Sequence, residues 1–140
     1  LLMGRLLSID YGQKRVGIAV SDNLQIIANG LTTVPTADLF KFLKEYFAKE
    51  KVEKVIVGKP MQTNGQPSEN LQRVTVFVQK FHAIYPDIPV EWYDERFTSV
   101  LAHQAMIDGG LGKKARQNKA LVDEISATII LRDYMESKRR

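Results

Sequence analysis

Arg5-Leu6-Leu7-Ser8-Ile9-Asp10-Tyr11-Gly12-Gln13-Lys14-Arg15-Val16-Gly17-Ile18-Ala19-Val20-Ser21 is the stretch whose reading decides the fold. Two short runs rich in apolar and β-branched residues, Arg5 to Asp10 and Val16 to Ser21, flank a polar segment that contains Gly12. Such a pattern predicts a β-hairpin. A third strand is expected within Ile26 to Val34. Leu39, Phe40, Phe42, Leu43, Tyr46 and Phe47 then recur at helical spacing behind Thr36 as N-cap, which predicts a helix from Asp38 to Glu50 with its Phe-rich face in the core. Val52 to Val57 returns the chain to the sheet, and Gly58 and Pro60 stop that strand ahead of a polar loop with an Asn64-Gly65 turn.

Beyond the loop, Ser68 is the expected cap of a helix carrying Leu71, Val74, Val78, Phe81 and Ile84, which Tyr85-Pro86 ends. Val90 to Tyr93 reads as a fifth strand. A helix from about Ser99 to Ile107 and a long final one from about Lys119 to Glu136 complete the order. Strands that open as a meander and continue through βαβ crossovers give a five-stranded mixed sheet flanked by helices, an α/β arrangement of the RNase H-like kind. With 140 residues, 44% of them hydrophobic, one domain over residues 1–140 is expected.

Composition narrows the chemistry. There is no cysteine, so thiolate metal sites and disulfides are excluded and a reducing cytoplasm suits the chain. The most apolar run, Leu121 to Leu131, is broken by Asp123 and Glu124 and falls short of the ~20 residues of a membrane span. Leu1 and Leu2 stand before Met3, and no charged segment followed by an apolar one opens the chain, so no secretion signal is expected. The net charge of +4 favours polyanionic partners. It is concentrated between Gly109 and Leu121, where Lys113, Lys114, Arg116 and Lys119 occur without an acid, and in the terminal Lys138-Arg139-Arg140.

Four acids stand where elements end. Asp10 closes an apolar strand just before the Tyr11-Gly12 turn, at a sheet edge of the kind where ligands bind. Asp94 and Glu95 follow the fifth strand; neighbouring side chains on a strand point to opposite faces, so only one should join a given site, and the sequence leaves open which. Asp123 heads a stripe through Ala127, Ile130 and Tyr134, while Glu124 heads another through Thr128, Leu131 and Met135, so helical spacing does not separate the two. Carboxylates brought together raise one another's pKa and call for cations, and oxygen-only ligation suits Mg²⁺ or Mn²⁺. Lys59 and Arg15, each beside a turn, are candidate phosphate contacts. His82 and His103 fall in helices away from the acids and are read as surface or core-edge residues, and Trp92 is expected in the core.

Ile9-Asp10-Tyr11-Gly12 with Arg15-Val16-Gly17-Ile18-Ala19, Val57-Gly58-Lys59-Pro60, Tyr93-Asp94-Glu95-Arg96-Phe97-Thr98-Ser99 and Val122-Asp123, in that order, resemble the YqgF, or RuvX, family of Holliday-junction-resolvase-like nucleases. The resemblance spans about Gly4 to Tyr134 and implies an RNase H-like fold and a metal-dependent phosphodiester hydrolase of the bacterial cytoplasm. It implies that Asp10, Asp94, Glu95 and Asp123 are the catalytic acids, with Asp10, Glu95 and Asp123 as ligands of Mg²⁺ or Mn²⁺. Arg15 and Arg96 become supporting cations, and Arg15, Lys59, Arg96, Lys113, Lys114, Arg116 and Lys119 form the expected nucleic-acid contacts. Where many RNase H-like nucleases carry an acid on the fourth strand, this chain has Gly58-Lys59-Pro60.

The expected substrate is the 5′ end of the small-subunit ribosomal RNA precursor, with four-way DNA junctions second, and the expected state is a monomer or weak homodimer. Two other readings compete. An Asp-x-Gly hairpin also occurs in the actin and sugar-kinase type of ATP-binding fold, but such proteins close two domains on the nucleotide and 140 residues supply one. A non-catalytic nucleic-acid-binding module would use the basic loop and leave the acids to shape turns and helix ends.

Overall fold

The structure is a computed structural model that describes residues 4–62, 64–66, 68–95, 98–110, 112 and 118–139, with the side chains of 98–100 left aside. Its strands are β1 (Arg5–Tyr11), β2 (Arg15–Ser21), β3 (Ala28–Pro35), β4 (Val52–Lys59) and β5 (Val90–Asp94). Its helices are α1 (Leu39–Lys49), α2 (Leu71–Ile84), α3 (Thr98–Asp108) and α4 (Lys119–Arg139). The sheet runs β3-β2-β1-β4-β5. β1, β2 and β3 form the antiparallel meander, and β4 and β5 run parallel to β1, so the C-terminal ends of β1, β4 and β5 meet at one edge. This is the α/β mixed sheet expected of the RNase H-like arrangement.

Both faces of the sheet are covered, which is why β1, β2 and β4 read as nearly continuous apolar runs. On one face, Leu7, Ile9, Val55 and Val57 pack with Leu39, Leu43 and Tyr46 of α1 and Val74, Phe77 and Phe81 of α2. Tyr11 stacks on Phe77 with ring centroids 5.1 Å apart, which ties the end of β1 to α2. On the other face, Leu6, Ala19 and Ile56 meet Ala127, Ile130, Leu131 and Tyr134 of α4.

α4 lies unusually close to the sheet. A Cβ on Gly17 would stand 2.0 Å from the carbonyl oxygen of Asp123, so the helix backbone occupies the place of the missing side chain. The Ser8 hydroxyl, fully buried in β1, donates to the Ala127 carbonyl at 2.6 Å and satisfies itself within that contact.

Several local expectations give way to other devices. Thr36 does not cap α1: it opens a short 3₁₀ turn, Thr36–Asp38, and its hydroxyl donates to the Gly12 carbonyl at 2.8 Å, which braces the hairpin turn. Ser68 does not cap α2, whose N-cap is Asn70 with no side-chain cap bond; the Asn70 amide donates instead to the Tyr11 carbonyl at 2.7 Å. Trp92 is 36% exposed, because β5 is an edge strand with a neighbour on one side only. Ile26 and Ile27 precede β3, which begins at Ala28.

Gly17→Ala is expected to destabilise the protein by ~1–3 kcal/mol, the usual cost of overpacking a well-filled contact. Urea unfolding would measure it, and an unchanged midpoint would mean that α4 does not bear on β2 as described.

Candidate active site

Asp10 lies on the α4 face near the C-terminal end of β1, opposite Gly17 in the β1–β2 register. Glu95 follows β5 directly, and its N–H donates to the Lys59 carbonyl at 3.2 Å, which anchors the chain where it leaves the sheet. From there its side chain enters the space above Gly58: one carboxyl oxygen lies 2.5 Å from where a Cβ on residue 58 would stand. Gly58 has no side chain to block it, and the Glu95 and Asp10 carboxyls hydrogen-bond to each other across β4.

Asp123 comes from the first turns of α4, where Asn118 accepts the N–H of Leu121 on its side-chain oxygen at 3.2 Å. Its carboxylate is held by Arg15 at the start of β2, Nε to Oδ2 2.7 Å, with both side chains partly exposed. Glu124, which the sequence did not separate from Asp123, packs against Gly30 of β3 instead. Asp94 ends β5 as an exposed residue paired in register with Lys59. Strand geometry thus sends Glu95, and not Asp94, to Asp10.

The electrostatics follow from this crowding. Burial is the main force raising the Asp10 carboxyl above the ordinary range; the bond from Glu95 works against it and the charge of Asp123 adds to it. Burial likewise raises Glu95, helped by the charge of Asp10, by their hydrogen bond and by Asp94. Two carboxyls so buried and so close disfavour a second negative charge and favour a cation.

Lys59, at the end of β4, and Lys119, at the start of α4, are exposed. Arg96, Lys113, Lys114 and Arg116 lie outside the described residues. His82 and His103 are exposed and belong to no site here. Among the described residues no three ligand-type side chains enclose a single point as they stand, since Asp123 turns to Arg15 beside the Asp10–Glu95 pair. Gly58 is the contributor that the sequence reading passed over as a strand stop; a glycine inside a strand is the usual sign of a close approach.

A mixed α/β sheet with acids converging at the C-terminal edge of its parallel strands defines a nuclease-like member of the RNase H-like class. A profile of the RuvX family, described as Holliday junction resolvase, matches residues 4–137, and the chain belongs to that family. A protein of Phocaeicola vulgatus provisionally named pre-16S rRNA nuclease is 66% identical over 137 residues, covering 98% of this chain and 99% of its own. Proteins of Flavobacterium johnsoniae and Bacteroides thetaiotaomicron with the same provisional name are 64% and 61% identical over the same shares of the two chains.

A carboxyl whose folded-state pKa exceeds its unfolded value stabilises the fold fully below the unfolded range near about 4, and that contribution is lost as the pH rises through the folded value. Glu95→Gln removes the charge and keeps the shape. In chelator at about pH 8 it is expected to melt above the parent protein, the gap closing towards about pH 4. Equal melting temperatures across that range would show that the pair carries no burial cost.

Proposed function

We propose that this protein is a metal-dependent nuclease of the cytoplasm that trims the 5′ end of the 16S ribosomal RNA precursor. The observation that carries the reading is the contact of Asp10 with Glu95 beside Asp123, three acids from distant parts of the chain gathered at one sheet edge. The names of the relatives supply the substrate. A second reading, cleavage of four-way DNA junctions, has the description of the family in its favour.

The donor set fits a hard divalent cation: all three groups are carboxylates, and burial raises the two that meet, Asp10 and Glu95, so that a cation between them would be favoured. Asp10, Glu95 and Asp123 would hold Mg²⁺ or Mn²⁺. Such an ion, when bound, activates water and stabilises the leaving oxygen in phosphodiester cleavage. Arg15 fixes the Asp123 carboxylate in place at the rim of the site. Lys59 and Lys119, with Lys113, Lys114, Arg116 and Arg96 nearby in sequence, are assigned to the sugar-phosphate backbone, where they add affinity without reading bases.

Incubation with precursor 16S RNA carrying its 5′ leader and with a four-way junction, each with Mg²⁺ or Mn²⁺, tests both readings. Leader removal is expected. Asp10→Asn and Glu95→Gln should each slow it by about a hundredfold or more, the scale of a lost catalytic group, and Arg15→Ala by ~10–100-fold, the scale of a lost supporting contact. Full-rate cleavage by Asp10→Asn would remove the acids from the chemistry, and cleavage of the junction alone would move the substrate to DNA.

A further inference from the structure

At the end of the sheet opposite Asp10, the connection between β2 and β3 turns large aliphatic side chains to solvent: Leu24 and Ile27 are 59% exposed and Ile26 is 55% exposed. The connection is held firmly. The Asp22 carboxylate accepts the backbone N–H of Leu24, Ile26 and Ile27 at 3.2, 2.7 and 2.9 Å. Gln25 takes the left-handed conformation at φ 58°, and its amide donates to the Gly4 carbonyl at 2.8 Å and to the Glu53 carboxylate. Arg139 at the end of α4 donates to the Ile26 carbonyl at 2.6 Å. A polar framework thus fixes an apolar cluster facing outward, the kind of exposed patch that marks an interaction surface. A surface fixed beforehand loses little freedom when it binds.

A groove of about 260 Å³ separates this connection from the last turns of α4, with Ala28 and Met135 along it. The α4 residues beside it are Arg132, Glu136 and Arg139, spaced four and three apart and therefore on one side of the helix, with signs that alternate. Arg132 is largely exposed, and its ion pair with its own neighbour Asp133 is loose at 3.9 Å.

We propose that this face is where two copies of the chain pair. A surface that meets itself across a two-fold axis must be complementary to itself. A rim of one sign would repel its own copy, whereas two antiparallel α4 helices bring Arg132 of each copy to Glu136 of the other, two contacts from one pair of residues. The aliphatic side chains at 24, 26 and 27 and the groove beside them are then covered together. The edge of β3 is a poorer place to pair, because its ladder is broken by a register shift near Leu31.

Such a dimer points its two Asp10–Glu95 edges away from each other. This consequence, though not the dimer itself, rests on the function proposed above. Sites so disposed suit separate cuts in single strands and not paired cuts across one junction.

Sedimentation equilibrium of the full chain, up to about 1 mM where even weak specific pairs associate, is expected to show a monomer–dimer equilibrium. Arg132→Glu and Glu136→Arg should each weaken it at least tenfold, and the double reversal should restore it, with melting curves confirming that each variant is folded. A monomer throughout the range, or failure of the double reversal to restore pairing, would overturn the proposal. These readouts do not involve cleavage, so they stand or fall apart from the nuclease reading.

Discussion

The distance between α4 and β2 is the constraint on which the rest of the structure depends. Gly17 lets the helix backbone rest on the strand at a separation that any side chain would forbid. Ser8 then spends its hydroxyl on the Ala127 carbonyl, so the strand beside β2 is bound to the same helix one turn further on. Two contacts of this kind fix the helix in both depth and register. Register matters because α4 carries Asp123 in its first turns, and depth matters because Asp123 must reach Arg15 and act on Asp10 while remaining part of a packed helix.

Close packing of the scaffold also explains how the protein tolerates an arrangement of charge that works against it. Burial raises both Asp10 and Glu95, and the charge of Asp10 raises Glu95 further, a local cost that the two apolar layers offset. Arg15 relieves the third acid only, and it does so from the rim, where its guanidinium keeps contact with solvent. The acid edge is therefore balanced unevenly among the described residues: Asp123 has the Arg15 guanidinium, while Asp10 and Glu95 face each other. A stable protein can carry such a site if the supporting contacts lie elsewhere, as they do here in the aromatic packing of Tyr11, Phe77 and Phe81 and in the α4 face.

What the sequence disclosed follows the same division. Strands bounded by Gly12, Gly58 and Pro60 and helices with regular apolar spacing were legible, because those signals are local. Asp10 stood out for its place at a strand end. The choice of Glu95 over Asp94 was not legible, since it depends on the space above Gly58 in a different strand. Asp123 and Glu124 had equal claims until their partners, Arg15 and Gly30, were known. Thr36 and Ser68 misled because hydroxyl residues before a helix are good caps on average, whereas Thr36 bonds the Gly12 turn and Asn70 takes the cap position of α2. Trp92 was expected in the core as an aromatic residue on a short strand, and the edge position of β5 leaves it partly exposed. Ile26 and Ile27 had the composition of a strand start, yet the ladder begins at Ala28 and leaves them outside it.

Gly58 also resolves the apparent gap in the acid set. Many RNase H-like nucleases place a carboxylate on the fourth strand, and here the site end of that strand, Gly58-Lys59, offers none. The position on β4 that faces α4 beside Asp10 is residue 58, and its side-chain volume is occupied by the Glu95 carboxyl, with Ile130 closing the far side. An acid from the end of β5 thus stands where an acid on β4 would have stood. The exchange requires two coupled changes, removal of the side chain at 58 and a longer reach at 95, and Glu supplies one methylene more than Asp. Position, and not the strand of origin, is what the chemistry of such a site can sense.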